Sequence, residues 1–395
     1  MPILKKQCSP FTSRCVNELA PSGIRKFFDL VANMEGVISL GVGEPDYVTP
    51  WHIRESAIYA IEKGYTMYTS NAGMPELREE ISKFLYKHYQ LNYKPENEIL
   101  ITVGVSEALD LAMRSILNPG DEVIMADPCY VSYAACVCLA GGIPVHVSTR
   151  VEDNFELRAE DIAPYITPKT KAILLGYPAN PTGAMMSKEK LTQIAELAAD
   201  RNLLVISDEI YGRLVYGVKE VCFAALPGMK NNTILLGGFS KAYAMTGWRL
   251  GYAAGNQDII AAMTKIHQYT MLCAPIIAQK AAIEALKNGE PDVQEMLADY
   301  NRRRLLMVKG LNSIGLTCFE PKGAFYAFPS IKSSGLTSDE FSEKLLYEEK
   351  VVVVPGTAFG HCGEGYIRCC YATAMSEIEE AFVRMKKFLS RYKAG

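Results

Sequence analysis

The sequence predicts an α/β fold: a large domain with a mostly parallel central sheet covered by helices, plus a smaller α+β domain. Two observations carry this reading. Short, continuous apolar runs such as Ile99-Leu100-Ile101 and Val205-Ile206 alternate with stretches of helical periodicity, the pattern of strands buried on both faces. That alternation ends near Asn288, and the tail instead carries strand-like runs at 323–328, 351–356 and 365–371 separated by helices. The expected division is a cofactor-sized large domain over 46–288, and a small domain made of 1–45 and 289–395 with an N-terminal arm.

In chain order, the arm is followed by a helix over 22–31 and a short strand at 37–40. Gly41-Val42-Gly43-Glu44-Pro45 resembles the opening of a dinucleotide fingerprint, but the proline argues for a turn instead. Thr49-Pro50 reads as an N-cap with proline in the first turn, opening a helix to Lys63. Pro75 opens another to Tyr89. Strands then fall at 98–103, 122–125, 145–147, 172–175, 203–206, 233–236 and 250–254. Helices fall at 108–117, 131–139, 188–199, 258–274, 278–286 and 293–314, and a last one over 376–392. Arg302, Arg303 and Arg304 are expected on a solvated helix face.

The formal net charge of −3 offers no basic field for nucleic acid. No apolar run approaches the ~18 residues that span a bilayer, and the first residues carry no apolar signal core. Eleven cysteines without a single CxxC pair argue against a zinc ribbon and for reduced, buried thiols in a cytoplasmic protein. No metal site is expected; His361 beside Cys362 does not make one.

Ligands of open α/β sheets bind beyond the carboxyl ends of the strands, and there this chain places polar residues that a core has no use for. Lys241 follows a core strand, with Ser240 beside it and Arg249 further on. Burial lowers a lysine's pKa and frees its amine to form a Schiff base, and Ser240 and Arg249 suit a phosphate. Gly104-Val105-Ser106 opens a helix whose first N–H groups can hold an anion. Two prolines and a glycine hold Asn180 in Tyr177-Pro178-Ala179-Asn180-Pro181-Thr182-Gly183, while Asp208 and Tyr211 follow the strand ending at Ile206. Each is weak alone. Together they supply an amine, phosphate donors, a carboxylate and a phenol, the groups that pyridoxal phosphate requires.

At these positions the chain resembles the class I aminotransferases of the aspartate aminotransferase superfamily, the fold-type I pyridoxal-phosphate enzymes. The likeness runs from Gly43-Glu44-Pro45-Asp46 to Arg368 and rests on Tyr68, Asn180-Pro181-Thr182-Gly183, Ser207-Asp208-Glu209-Ile210-Tyr211, Ser240-Lys241, Gly247-Trp248-Arg249 and Gly323-Ala324-Phe325-Tyr326. The resemblance implies that Lys241 forms the internal aldimine and shuttles the proton, and that Asp208 pairs with the pyridine nitrogen. It implies that Tyr211 and Asn180 bond the ring oxygen, and that Tyr130 stacks on the ring. Arg249, Ser240 and the turn Gly104-Val105-Ser106 would bind phosphate. Arg368 would take the substrate carboxylate, assisted by Asn180 and Gly43. Tyr68 would reach the phosphate of a neighbouring subunit, so a homodimer with shared sites is implied.

The implied reaction moves an amino group between an amino acid (aspartate, aromatic or related) and a 2-oxo acid such as 2-oxoglutarate by a ping-pong route. A carbon–sulfur β-lyase on the same fold is the alternative. A regulator that binds without turnover is disfavoured, because too few residues precede Gly43 for a DNA-binding module. Departures from the family pattern are Tyr130 where many members have tryptophan, and Gly238 where some have a hydroxyl. There is also no cation near Ser106, which argues against strict aspartate specificity.

Overall fold

The structure is a computed structural model that describes residues 11–19, 21, 23 and 34–392. The expected helix over 22–31 lies outside the described residues apart from Gly23, as does most of the arm.

The central sheet has seven strands: β2 (Ile99–Thr102), β3 (Glu122–Asp127), β4 (Ile143–Ser148), β5 (Thr170–Leu175), β6 (Leu204–Asp208), β7 (Thr233–Gly238) and β8 (Gly251–Ala254). Their order is β2-β8-β7-β6-β5-β3-β4, and β8 runs antiparallel to both its neighbours while the other pairings are parallel. The strands are apolar throughout because both faces are covered. Leu100, Val123, Leu174 and Ile206 pack under Leu109, Leu111 and Met113 of the helix Gly104–Ile116 and Ile260 and Met263 of Gln257–Thr270. Their alternates Ile124, Ile173 and Val205 meet Leu191 and Ile194 of Lys188–Asp200 on the other face. Period-two alternation within each strand thus serves two apolar layers.

A second core joins β1 (Ile38–Ser39) to the tail. Ile38 and Leu40 cluster with Tyr300, Phe325, Phe341, Leu345, Met385 and Phe388. β1 pairs in parallel with β10 (Val351–Val352), while β11 (Val354–Pro355), β12 (Ile367–Cys370) and β9 (Tyr326–Ala327) form an antiparallel sheet. The single run expected over 351–356 is therefore two strands in two sheets, broken at Val353 where the chain changes partner.

Other expectations need correction. The helix expected from residue 108 begins at Gly104, because Gly104 adopts φ +75° and turns the strand directly into it. Thr49 does not cap: Pro50 occupies the cap position, and the Thr49 hydroxyl donates to Ala244 O at 2.6 Å. The arginine row is a solvated face only at Arg302, which is exposed; Arg304 is buried and donates to Glu320 and Pro321 O, and Arg303 pairs with Asp46 and Asp299.

Candidate active site

Five strand ends meet on one edge of the sheet. β2 passes into the helix at Gly104, β3 into Tyr130, β5 into Asn180, β6 ends on Asp208, and β7 leads to Ser240 and Lys241. Arg249 lies on this edge too, because β8 runs antiparallel and starts there. Arg368 comes from β12 of the smaller sheet. Between them lies a cavity of about 370 Å³. Of the residues expected from sequence, Gly43, Val105, Ser106, Tyr130, Asn180, Asp208, Tyr211, Ser240, Lys241, Arg249 and Arg368 line it. Gly104 sits against Arg249: a side chain there would place Cβ 2.8 Å from Nη2 of that arginine. Tyr68 is not brought into this cavity and is 80% exposed.

The amine of Lys241 donates to Gly43 O at 2.7 Å, and its nitrogen lies 5.8 Å from the ring centroids of Tyr211 and Phe325. Burial pushes its pKa down to about 8, so a useful share of the amine is uncharged near neutrality. Burial likewise pushes Asp208 up to about 6, opposed by hydrogen bonds from Tyr133 and the Ile210 N–H and by the charge on Lys241. The Tyr133 hydroxyl donates to Asp208 Oδ2 at 2.9 Å, and Ile210 N–H to Oδ1 at 3.1 Å. Tyr211 and Tyr326 share a hydroxyl hydrogen bond of 2.7 Å, and burial holds the Tyr211 phenol well above its ordinary pKa.

One end of the cavity is built for an anion. The first N–H groups of a helix have no intrahelical partner and sit at its positive pole; here they belong to the turn at Gly104, Val105 and Ser106. Arg249, held at φ +52°, anchors Nη1 on Thr246 O at 3.0 Å. A second cationic point is Arg368, which is 2% exposed. It donates from Nη1 to Asn180 Oδ1 at 2.9 Å and from Nη2 to Gly41 O at 2.5 Å, and its guanidinium lies 4.5 Å from the Tyr326 ring centre and 5.0 Å from that of Phe359. Its Nε is buried with no hydrogen-bond partner among the described residues.

Sequence reasoning missed Tyr133 as the partner of Asp208. Its signal was present: a phenol one helical turn past Tyr130, beyond the end of β3. Tyr326 was noticed only as part of a motif. Its hydroxyl lies 2.5 Å from where a Cβ on Gly43 would stand, so it sets how closely that loop approaches.

The donor set fits pyridoxal phosphate: an anion cradle of guanidinium and helix N-terminus, a buried carboxyl for the ring nitrogen, and a lysine of lowered pKa for the aldehyde. Fold and site together define a fold-type I transferase of that coenzyme. Comparison with known proteins agrees. The profile of the family "Aminotransferase class I and II" matches residues 35–385. YugH of Bacillus subtilis (strain 168), provisionally assigned as an aminotransferase, is 57% identical over 381 residues, covering 96% of this chain and 99% of its own. The aspartate aminotransferase of Pyrococcus abyssi (strain GE5 / Orsay) is 48% identical over 376 residues, covering 94% and 97%. The solved aspartate aminotransferase from Thermus thermophilus with maleate superposes with a TM-score of 0.91 at 37% identity, covering 95% and 99%. The chain belongs to the class I and II aminotransferases, in the aspartate aminotransferase superfamily, and is a pyridoxal-phosphate-dependent aminotransferase.

Proposed function

We propose that Lys241 is the catalytic amine and that the cavity beyond the strand ends binds an amino acid and then a 2-oxo acid in turn. The observation that carries this reading is the Lys241 amine, of lowered pKa, opening into the same cavity as the buried Asp208 carboxyl. When bound, pyridoxal phosphate supplies an aldehyde to carry the amino group and a ring that accepts the electron pair left at the substrate α-carbon. Asp208, ionised at neutral pH, holds a proton on the ring nitrogen. Lys241, uncharged, takes and returns the proton at the α-carbon. Tyr211, braced by Tyr326, and Asn180 would donate to the ring oxygen, and Tyr130 would lie against the ring. Arg249, Ser240 and the N–H groups at Gly104, Val105 and Ser106 hold the phosphate. Arg368 receives the substrate carboxylate in a bidentate pair, with Asn180 and the Gly43 backbone beside it.

The amino donor is aspartate, an aromatic amino acid or a related one, with 2-oxoglutarate as the common acceptor. Relatives named for aspartate and for aromatic amino acids support that range. The working unit is a homodimer with shared sites. Val48, Trp51, Met67, Tyr68, Tyr269 and Met271 are all exposed, and their two segments are tied together by Asn71 Nδ2 donating to Leu272 O at 2.7 Å. Such an apolar surface fits a second copy of the chain, and Tyr68 on it would reach the neighbour's phosphate. The large domain spans 46–288 and the small domain the remainder, a division supported by the core that joins Ile38 and Leu40 to the tail as far as Phe388, with Tyr211, Leu214, Tyr216 and Ala244 of the large domain packed at its edge. A cytoplasmic location is supported by the unpaired state of the ten described cysteines. Among the described residues no helix is long and apolar enough to cross a membrane.

The test is a half-reaction. Glutamate added to the holoenzyme should shift the absorbance of the bound coenzyme, and an oxo acid should restore it. No shift with any of the common amino acids would overturn the proposal. Pyruvate and ammonia released from cystathionine without an added oxo acid would instead point to elimination.

A further inference from the structure

Asp208 is a single carboxylate on which the ring chemistry depends, and among the described residues it has only one side-chain hydrogen-bond donor. That donor is Tyr133, at 2.9 Å. Tyr133 is itself 6% exposed. It arrives from the helix Ser132–Leu139, beyond β3, whereas Asp208 ends β6, so the contact spans 75 residues and two strand positions across the sheet. The ring reaches Asp208 only because Gly176, just past β5 in the strand between them, has no side chain. A Cβ there would stand 2.1 Å from the Tyr133 oxygen and 2.8 Å from its ring carbons. Tyr130 braces the ring on another side, edge to face at 5.6 Å between centroids. A buried phenol seated in a slot made by a glycine, with its hydroxyl aimed at one carboxylate oxygen, is a poor choice for mere packing. A phenylalanine would fill the same space without a polar atom to satisfy.

We propose that Tyr133, admitted by Gly176, is a positioning residue that fixes the orientation of the Asp208 carboxylate and favours its charged form, so that the carboxylate meets the coenzyme's ring nitrogen. This rests on the assignment of Asp208 to that nitrogen. The charged and titratable groups facing Asp208 are Tyr133, Lys241 and the adjacent Glu209; those facing Tyr133 are Asp208, Cys129 and Tyr130. Ile210 N–H holds the other carboxylate oxygen at 3.1 Å. Removing the Tyr133 hydroxyl therefore leaves Oδ2 without its donor in a buried site. Desolvation then acts with less opposition, and the carboxyl keeps its proton to higher pH.

The test titrates cofactor-free protein with pyridoxal phosphate across pH 5.5 to 8.5, for the wild type, Tyr133→Phe, Gly176→Ala and Asp208→Asn. Near-ultraviolet circular dichroism checks the fold of each. Tyr133→Phe should weaken coenzyme binding roughly tenfold near pH 6 and move the acid limb of kcat upward by about one pH unit. KM for the amino donor should stay within about twofold, since Arg368 is untouched. Gly176→Ala, which changes no polar group, should displace the hydroxyl and move the same limb the same way. Unshifted acid limbs in both variants would overturn the proposal. Asp208→Asn separates the two readings: if it binds the coenzyme and turns over like wild type, the Asp208 assignment itself fails. If it is impaired while Tyr133→Phe is not, only the positioning role fails.

Discussion

The Arg368 guanidinium donates to Asn180 Oδ1 at 2.9 Å, joining a strand of the small sheet to a turn beyond the central one. Its planar face lies against Tyr326 and Phe359, and the residue lines the cavity. Lysine keeps the charge but loses the fork and the stacking plane. Arg368→Lys should raise KM for the amino donor at least tenfold, about 1.4 kcal/mol of binding, with coenzyme affinity unchanged. Steady-state kinetics beside a coenzyme titration would check it.

Lys241 carries a second expectation through its pKa. In the folded, cofactor-free protein the amine titrates at about 8, against 10.5 when free. Between those values the unfolded chain binds more protons than the folded one, so stability rises with pH across that window, and below it the cost of burying the charged amine is complete. Lys241→Ala should abolish transamination while the fold persists. Denaturant melts of the cofactor-free variant from pH 7.5 to 10 should lack the part of the rise that wild type shows.

Asp208 gives the opposite slope. Its pKa stands at about 6 in the folded protein, against 3.8 when free. Across that window the folded chain binds more protons, so stability falls as pH rises, and the full cost remains above it. Asp208→Asn should stabilise the cofactor-free protein at pH 7 by up to about 3 kcal/mol, a gain that fades toward pH 4, while turnover collapses. Paired urea melts and rate measurements test both halves.

Gly104 is held at φ +75° beneath Arg249. An added methyl meets both a left-handed backbone and the guanidinium. Gly104→Ala should cost about 1 kcal/mol or more of stability and weaken pyridoxal phosphate far more than pyridoxal, which lacks the phosphate. Comparing the two affinities tests whether the damage lies in the anion cradle.

Met67 and Tyr68 stand exposed on the surface proposed to meet a second copy. Met67→Glu should shift the protein toward monomer in sedimentation velocity, and coenzyme affinity should fall with it. A monomeric wild type would remove the basis for shared sites.

Much of this was legible in the chain itself. The strands of the central sheet announce themselves because both faces are buried, which leaves runs like Ile99-Leu100-Ile101 no polar positions to blur them. Lys241, Asp208, Asn180 and Arg249 were visible because charged and amide side chains just past core strands have no packing reason to be there. The run over 351–356 was misread because apolar periodicity does not say with which partner a strand will pair. Arg302 is exposed as expected, but Arg303 and Arg304 were misread because an isolated helix cannot tell a solvated face from one that Asp46 and Glu320 neutralise from distant parts of the chain.

By itself, then, the sequence determined the element types, the chemical inventory of the site and the family, all of which follow from local pattern and residue identity. Only the tertiary structure decided which phenol serves Asp208, that Arg368 crosses from the small sheet to Asn180, and that Tyr68 lies exposed outside the cavity of its own chain. Those are contacts between residues far apart in sequence, fixed by strand order and by gaps such as the one at Gly176. No local propensity encodes them.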